Sequence, residues 1–141
     1  MDQSLKVKLS VLLERHEGKR NFPYLCTAGK TTIGIGRNLT DRGISDYEIQ
    51  IMFDADVNYF ISSLVKNYPW FESLSENRQV ALIDLAFNIG IKGFHGFKRM
   101  RMSLQQGKWI EASIQLLDSK YAKQVPRRAN ELARIIVSDE L

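Results

Sequence analysis

The sequence predicts an α+β fold in which a long helix joins a small β-hairpin lobe to a helical lobe, with a cleft between the two lobes. Three observations support this prediction. Strand-like alternation occurs only between residues about 18 and 44. A capped apolar pattern of helical period follows, from about 45 to 67. Helical spacing then continues from about 70 to 138. We therefore expect a single domain over residues 1–141, with a first helix, 4–17, packed on the helical lobe.

The composition restricts the kind of partner. The chain has 141 residues, enough for one domain with a real core, and it carries a net charge of +4 with an isoelectric point of about 9.3. A basic protein favours an anionic polymer or surface, and nucleic acid and bacterial cell wall both qualify. The single cysteine, Cys26, excludes an internal disulfide. No stretch approaches the ~20 apolar residues that span a bilayer, so we expect no membrane anchor.

The N-terminal segment predicts an amphipathic helix. Ser4 is a candidate N-cap, and the leucines that follow share one face of a helix. Gly18 supplies a stop, so Glu17 is the last helical residue. The helix dipole disfavours negative charge at a C-terminus, and this favours the protonated carboxyl group that a general acid needs. A solvated acid at a frayed helix end is the alternative interpretation of Glu17.

A hairpin is expected directly after this helix. Alternation predicts strands over 22–27 and 31–37, joined by a turn at 28–30. In the second strand the isoleucines share one face, and Thr32 is expected on the opposite, open face. Cys26 lies one residue before the end of the first predicted strand. It could be a small buried apolar residue, a metal ligand or a reactive thiol, and the spacing alone leaves these interpretations open.

Local signals divide the rest of the chain into helices. Ser45 and Glu48 form a capping box at the start of the long helix, and Ser75 caps the next one. That next helix is predicted to end at Gly90, before a glycine-rich corner. Pro126 suits the first turn of the last helix.

Basic residues are concentrated in the C-terminal half. Between Phe97 and Arg134 the chain carries nine Lys or Arg residues and three acids. A solvated face is the ordinary interpretation of such a pattern. A docking surface for a negatively charged polymer is the sharper hypothesis.

An ordered set of motifs resembles the phage-type lysozymes, the endolysins of glycoside hydrolase family 24. The active-site pattern of that family is Glu, eight residues, Asp or Cys, five residues, Thr, and here it reads Glu17, Cys26, Thr32. Three later segments match in order. FDADVNYFISSLV resembles the family's linking helix, LIDLAFNIGIKGFHGF its Phe-Asn-x-Gly segment, and KWIEASIQLLDSKYAKQVPRRA its Trp-x-Glu-Ala and Pro-x-Arg segments. The matches span roughly residues 9–134 and imply that the predicted α+β fold is lysozyme-like.

The resemblance implies a muramidase, because the family hydrolyses the β-1,4 bond between N-acetylmuramic acid and N-acetylglucosamine in peptidoglycan. By position, Glu17 is the general acid, Thr32 holds the attacking water, and Cys26 is the third catalytic residue. Four further positions match those that line the saccharide cleft, and a fifth matches a cation beside the acid: Phe87, Asn88, Gln115, Lys120 and, for the cation, Arg128. A structural salt bridge is expected between Arg37 and Asp56. No metal or cofactor is implied.

Position 26 departs from the commonest family pattern, because most members carry Asp there. Two carboxyl groups are the usual pair for glycoside hydrolysis. As a thiolate, Cys26 could act as a base toward the water or attack the anomeric carbon, whereas as a thiol it could only position that water. The stereochemical course therefore stays open. A lytic transglycosylase reaction, which needs one Glu and no water-activating carboxylate, is the alternative enzymatic interpretation.

The remaining expectations concern partners and location. Some relatives with a catalytic Cys have a membrane-anchored form that is held inactive by a disulfide to a second Cys, and this sequence predicts neither feature. The resemblance then implies a monomer that accumulates in the host cytoplasm, is released to the wall through a phage holin, and binds peptidoglycan rather than nucleic acid. A non-enzymatic wall- or nucleic-acid-binding module is the alternative of another class, and it leaves the hairpin pattern unexplained.

Overall fold

The boundary between two compact units of the chain lies within its longest helix. The computed structural model describes residues 2–141. The first unit comprises the described residues up to Met52, and the second unit is Phe53–Leu141. The boundary falls inside α2, which spans Asp46–Asn67 and matches the long helix that the sequence predicts. Seven helices and one three-stranded sheet in the described residues confirm the α+β class.

The N-terminal helix has a different cap from the predicted one. α1 spans Gln3–Glu17, and its N-cap is Asp2, whose Oδ1 accepts a hydrogen bond from the Ser4 backbone N–H at 2.9 Å. A carboxylate offers a full negative charge to the free N–H groups of the first turn, and this explains why Asp2 takes the position expected for Ser4. Gly18 ends the helix, as predicted. Its φ of +78° lies in the left-handed region that glycine adopts readily.

A three-stranded antiparallel sheet takes the place of the predicted two-stranded hairpin. β1 spans Arg20–Leu25, β2 Thr31–Gly34 and β3 Arg37–Asn38, with β2 in the centre. The third strand has two residues, which is too short for an alternating pattern to reveal. The register of β1 against β2 shifts in the segment that contains Pro23. Proline has no N–H to donate to a neighbouring strand, so an irregular position suits it.

Thr32 lies in the central strand of this sheet. It pairs with Tyr24 of β1 on one side and with Asn38 of β3 on the other. Thr32 is 4% exposed and is the one buried residue among the described residues up to Met52. The expectation of an open face at Thr32 is therefore wrong, because the unpredicted third strand gives Thr32 a paired residue on both sides, Tyr24 and Asn38, and paired residues share one face of the sheet.

The second unit is built around an apolar core. Every buried hydrophobic side chain in the described residues lies between Leu64 and Ile136, and Phe94 is the largest of those that are completely buried. The elements that supply this core, besides the end of α2, are a 3-10 helix and five α-helices: Pro69–Ser73, then α3 (Glu76–His95), α4 (Lys98–Gln105), α5 (Trp109–Leu117), α6 (Lys120–Gln124) and α7 (Pro126–Ser138).

The longest helix of the second unit begins as predicted and ends later than predicted. The Ser75 hydroxyl caps α3 by accepting a hydrogen bond from the Arg78 backbone N–H at 3.3 Å. Gly90 has φ +79° and breaks the helical geometry, but the chain resumes a helical course to His95. The predicted end at Gly90 is therefore a break within α3. Pro126 is the first residue of α7, as the sequence predicts.

Among residues 2–141, no single helix is both long and apolar enough to cross a membrane. Two successive helices, Glu76–His95 and Lys98–Gln105, meet the length and composition criteria only when taken together, and they are bent by 105°.

Candidate active site

The candidate acid lies at the end of α1. Glu17 is the last residue of that helix, and its side chain is exposed. Gly36, in the connection between β2 and β3, lies directly against this side chain. A Cβ atom added to Gly36 would lie 3.0 Å from both Cγ and Cδ of Glu17 and 3.1 Å from its Oε2. The carboxyl group of Glu17 therefore rests on a backbone surface that carries no side chain.

The turn between β1 and β2 places backbone N–H groups near the sulfur of Cys26. The turn is closed by two backbone hydrogen bonds, from Cys26 N–H to Lys30 O and from Gly29 N–H to Cys26 O, each 2.9 Å long. The pKa of the Cys26 thiol is lowered, most strongly by the backbone N–H of Lys30 and then by that of Ala28. Partial burial acts in the opposite direction. Donors stabilise the thiolate more than the neutral thiol, so this turn favours the ionised sulfur.

Thr32 contributes a hydroxyl group whose proton already has a partner. Its Oγ1 donates to the Lys30 carbonyl oxygen at 2.9 Å. A hydroxyl has one proton and two acceptor lone pairs, so this bond leaves both lone pairs available to accept a hydrogen bond. Two of the three predicted catalytic residues, Cys26 and Thr32, therefore meet at one acceptor in the first unit, because the Cys26 backbone N–H and the Thr32 hydroxyl both donate to the Lys30 carbonyl oxygen.

Arg37 takes Glu48 as its ion-pair partner, where the sequence predicted Asp56. The Arg37 guanidinium binds both carboxylate oxygens of Glu48, with Nη1 3.0 Å from Oε1. Ser45 donates to the same Oε1 from its backbone N–H and its hydroxyl, at 3.0 and 2.9 Å, which completes the predicted capping box. Arg37 first and Ser45 second lower the pKa of Glu48 to about 2. The capping box already directs the Glu48 carboxylate toward the preceding loop, whereas Asp56 lies two helical turns, about 12 Å, further along α2.

Two of the candidate glycan-binding residues are neighbours on α3. Phe87 is 41% exposed and Asn88 is also exposed. The Phe87 ring packs against Phe60, with ring centroids 4.9 Å apart. This contact orients an aromatic ring that is still accessible from solvent, as a ring that stacks on a sugar must be.

Gln115 lines a pocket of about 530 Å³ in the second unit. The rest of the lining comes from the glycine-rich corner, the first turn of α4 and the connection between α5 and α6. The Gln115 side-chain oxygen accepts a hydrogen bond from the Ser103 hydroxyl at 2.9 Å, which leaves its amide N–H groups free to donate into the pocket. Lys120, the first residue of α6, is exposed and follows directly after the lining residue Ser119.

Arg128 has a carboxylate partner in its own unit. Its Nε donates to the Asp84 Oδ1 at 2.8 Å, and the pKa of Arg128 is raised chiefly by this bond. Both side chains are 41% exposed. Asp84 therefore fixes the position of the cation that the resemblance assigns to the active site.

Sequence reasoning missed three residues at these sites, and each left a faint signal. Gly36 belongs to an Ile-Gly-Ile-Gly run, where a repeated glycine indicates a close approach. Glu48 was recognised only as a capping residue. Asp84 is an acid within the apolar stretch Leu-Ile-Asp-Leu-Ala-Phe, a setting in which a charged residue commonly has a partner.

Comparison with known proteins identifies the family of this chain. A family model described as Phage lysozyme matches residues 14–133. The chain belongs to the phage lysozyme family. As a phage lysozyme it is a glycoside hydrolase that acts on the peptidoglycan of the cell wall.

Similar proteins from Dictyostelium discoideum and from two phages align with between 87% and 99% of this chain. Probable T4-type lysozyme 2 of Dictyostelium discoideum is 25% identical over 162 aligned positions, which cover 94% of this chain and 95% of that protein. The SAR-endolysin of Escherichia phage P1 is 27% identical over 135 positions, covering 87% of this chain and 73% of that protein. The pre-baseplate central spike protein Gp5 of Enterobacteria phage T4 is 26% identical and aligns with 99% of this chain, but with only 29% of its own length. A segment similar to this chain therefore also occurs within a larger protein.

Proposed function

We propose that this phage lysozyme is an endolysin muramidase, which cleaves the β-1,4 bond between N-acetylmuramic acid and N-acetylglucosamine and so lyses the host cell. The observation that supports the proposal is the turn in which the Cys26 N–H and the Thr32 hydroxyl bind the same Lys30 carbonyl oxygen, and in which backbone donors lower the pKa of the Cys26 thiol. The same compact unit contains the exposed Glu17. An acid, an ionisable sulfur and a hydroxyl are the groups that hydrolysis of a glycosidic bond by water requires here.

Glu17 is proposed as the general acid. It donates its proton to the glycosidic oxygen as the bond from that oxygen to the anomeric carbon breaks. Glu17 is exposed at the last position of α1, so its carboxyl group is accessible to a bound glycan.

Cys26 is proposed as the base that activates water. The thiolate removes one proton from a water molecule whose oxygen attacks the anomeric carbon, and the leaving oxygen takes its proton from Glu17. Thr32 supports this role, because the free lone pairs of its hydroxyl can accept the second O–H of that water beside the sulfur. A water that attacks in one step gives products of inverted anomeric configuration. Direct attack by sulfur would instead leave a covalent glycosyl-cysteine intermediate and give retained configuration.

The second unit is proposed to supply contacts to the glycan. Phe87 offers an exposed ring, Gln115 offers amide N–H groups in its pocket, and Asn88, Lys120 and Arg128 offer polar or charged groups. We further infer that the protein acts as a monomer and reaches the periplasmic wall from the host cytoplasm when a holin opens the membrane.

Replacement of the acid tests the proposal. Glu17→Gln keeps the size of the side chain and removes the proton donor, so lysis of chloroform-treated Gram-negative cells should slow by about 10²-fold or more. Glu14→Gln, a neutralised acid one turn earlier on α1, is the matched control and should lyse at the wild-type rate. Equal rates for Glu17→Gln and wild type would contradict the proposal.

Analysis of the released muropeptides decides between hydrolysis and transglycosylation. Mass spectrometry should find reducing N-acetylmuramic acid ends, because water is the attacking group. Products with 1,6-anhydro ends would show that no water enters and would favour the lytic transglycosylase alternative.

A further inference from the structure

Gly36 brings bare backbone against the Glu17 side chain within the first unit. It follows Ile35 in the short connection between β2 and β3, and its φ is +74°. A Cβ at this position would meet Glu17 along the end of its side chain, at 3.0 Å from Cγ and Cδ and 3.1 Å from Oε2. Contacts this short require one of the partners to move by a few tenths of an ångström.

Gly34 provides an internal comparison two residues earlier. Its φ is +68°, close to that of Gly36, so an L-amino acid side chain would strain the backbone to a similar degree at both positions. A Cβ added to Gly34 meets nothing within 4 Å. The two glycines therefore share a backbone requirement, and of the two only Gly36 also has the Glu17 contact.

We propose that Gly36 is a positioning residue for the catalytic acid. The inference rests on the proposed function, in which Glu17 is the general acid. An exposed glutamate at a helix end has three rotatable bonds and little packing to restrict them. The bare backbone at Gly36 gives its carboxyl group a surface to rest on and leaves the approach to that surface open. A side chain at position 36 occupies the space of the carboxyl group and turns it away.

The consequence is a loss of turnover without a loss of substrate binding. General acid catalysis depends on the distance between the carboxyl group and the leaving oxygen, and a displacement of about 1 Å can cost on the order of 10²-fold. A shift of a few tenths of an ångström is expected to lower kcat about tenfold. KM should be unchanged, because Gly36 does not hold the glycan in this proposal.

The experiment compares Gly36→Ala with Gly34→Ala on soluble peptidoglycan fragments. Both variants should lower Tm, since both place a side chain at a positive φ, and Gly36→Ala should lower it further because its Cβ also displaces the Glu17 carboxyl group. Only Gly36→Ala should show the tenfold fall in kcat, with KM unchanged. If alanine prevents folding at either position, Gly36→Asn and Gly34→Asn replace the pair, because asparagine tolerates positive φ better than other residues with a Cβ.

A second measurement reports the contact without any catalysis. The part of the Tm loss in Gly36→Ala that exceeds the loss in Gly34→Ala should disappear in the Glu17→Ala background, where no carboxyl group is displaced. An excess that persists in that background would overturn the contact, and equal kcat values for the two glycine variants would overturn the positioning role. Both results are distinct from failure of the proposed function, which appears as full activity of Glu17→Gln.

Discussion

Each of the two compact units is stabilised internally by a different kind of interaction. The second unit encloses all of the buried hydrophobic side chains in the described part of the chain, from Leu64 to Ile136. In the first unit Thr32 is the one buried residue among those described, and the apolar side chains of α1 are exposed. Hydrogen bonds and ion pairs dominate there, with Arg37 and Glu48 at their centre.

The second unit therefore contributes most of the apolar packing, and the first unit contains the candidate catalytic residues. Apolar packing is not directional, and it supplies most of the free energy of folding. Hydrogen bonds to charged groups are directional, and they orient side chains and shift their pKa values. The candidate catalytic residues Glu17, Cys26 and Thr32 all belong to the unit in which hydrogen bonds dominate. Substitutions in the second unit should therefore change stability most, and substitutions in the first unit should change turnover most.

The largest expected effect on stability comes from the core of the second unit. Phe94 is 0% exposed, so Phe94→Ala should lower the free energy of unfolding by about 3–5 kcal/mol in urea titrations. Phe22 in β1 is 81% exposed and provides the matched truncation in the first unit. Phe22→Ala should change the same quantity by no more than about 0.5 kcal/mol. A large loss from Phe22→Ala would show that apolar packing also stabilises the first unit.

The contribution of Glu48 to stability is expected to depend on pH. Its pKa in the folded chain is about 2, below its ordinary value, so the ionised carboxylate stabilises the fold above about pH 4.5. This stability is lost as the pH falls toward 2. Tm should therefore be higher for wild type than for Glu48→Gln at pH 7, and the two curves should converge near pH 2.

The partner of Glu48 supplies the control for that titration. In an Arg37→Met background the effect of the Glu48→Gln substitution on Tm should shrink, because the hydrogen bonds from Arg37 are the largest cause of the pKa shift. A Tm difference that stays constant from pH 7 to pH 2 would contradict the assignment.

The smallest effect on stability is expected at the exposed pair of the second unit. Because Arg128 and Asp84 are each 41% exposed, Asp84→Asn should cost less than about 1 kcal/mol and the cost should fall with added salt. Arg128→Met should have an equally small effect on unfolding but should lower the rate of wall hydrolysis. Wild-type activity of Arg128→Met would remove Arg128 from the proposed glycan contacts and leave it a purely structural role.

The features that the sequence predicted correctly are those encoded by neighbouring residues. The capping box of Ser45 and Glu48 spans one turn, and Gly18 and Pro126 act on their own helix ends. Helix-end preferences gave wrong predictions where two neighbouring signals compete. Asp2 displaced Ser4 as the cap of α1, and Gly90 bent α3 without ending it.

The features that the sequence could not predict depend on contacts between distant residues. More than one acid on α2 could pair with Arg37. The fold shows that the capping box directs the Glu48 carboxylate toward Arg37. Thr32 is buried because of a two-residue strand that has no pattern of its own. The contact of Gly36 with Glu17 joins residues 19 positions apart, so spacing within one element could not indicate it.

The most direct test of the account is the rate of wall lysis by Cys26→Asp and Cys26→Ser, measured side by side at pH 7. Aspartate restores an ionised base at the donor-lined turn, whereas a serine hydroxyl stays protonated. If Cys26 acts as the base, Cys26→Asp should keep activity within about tenfold of wild type, and Cys26→Ser should lose about 10²-fold or more. Retention of activity in both variants would show that position 26 needs no ionised group, and it would contradict the role proposed for Cys26.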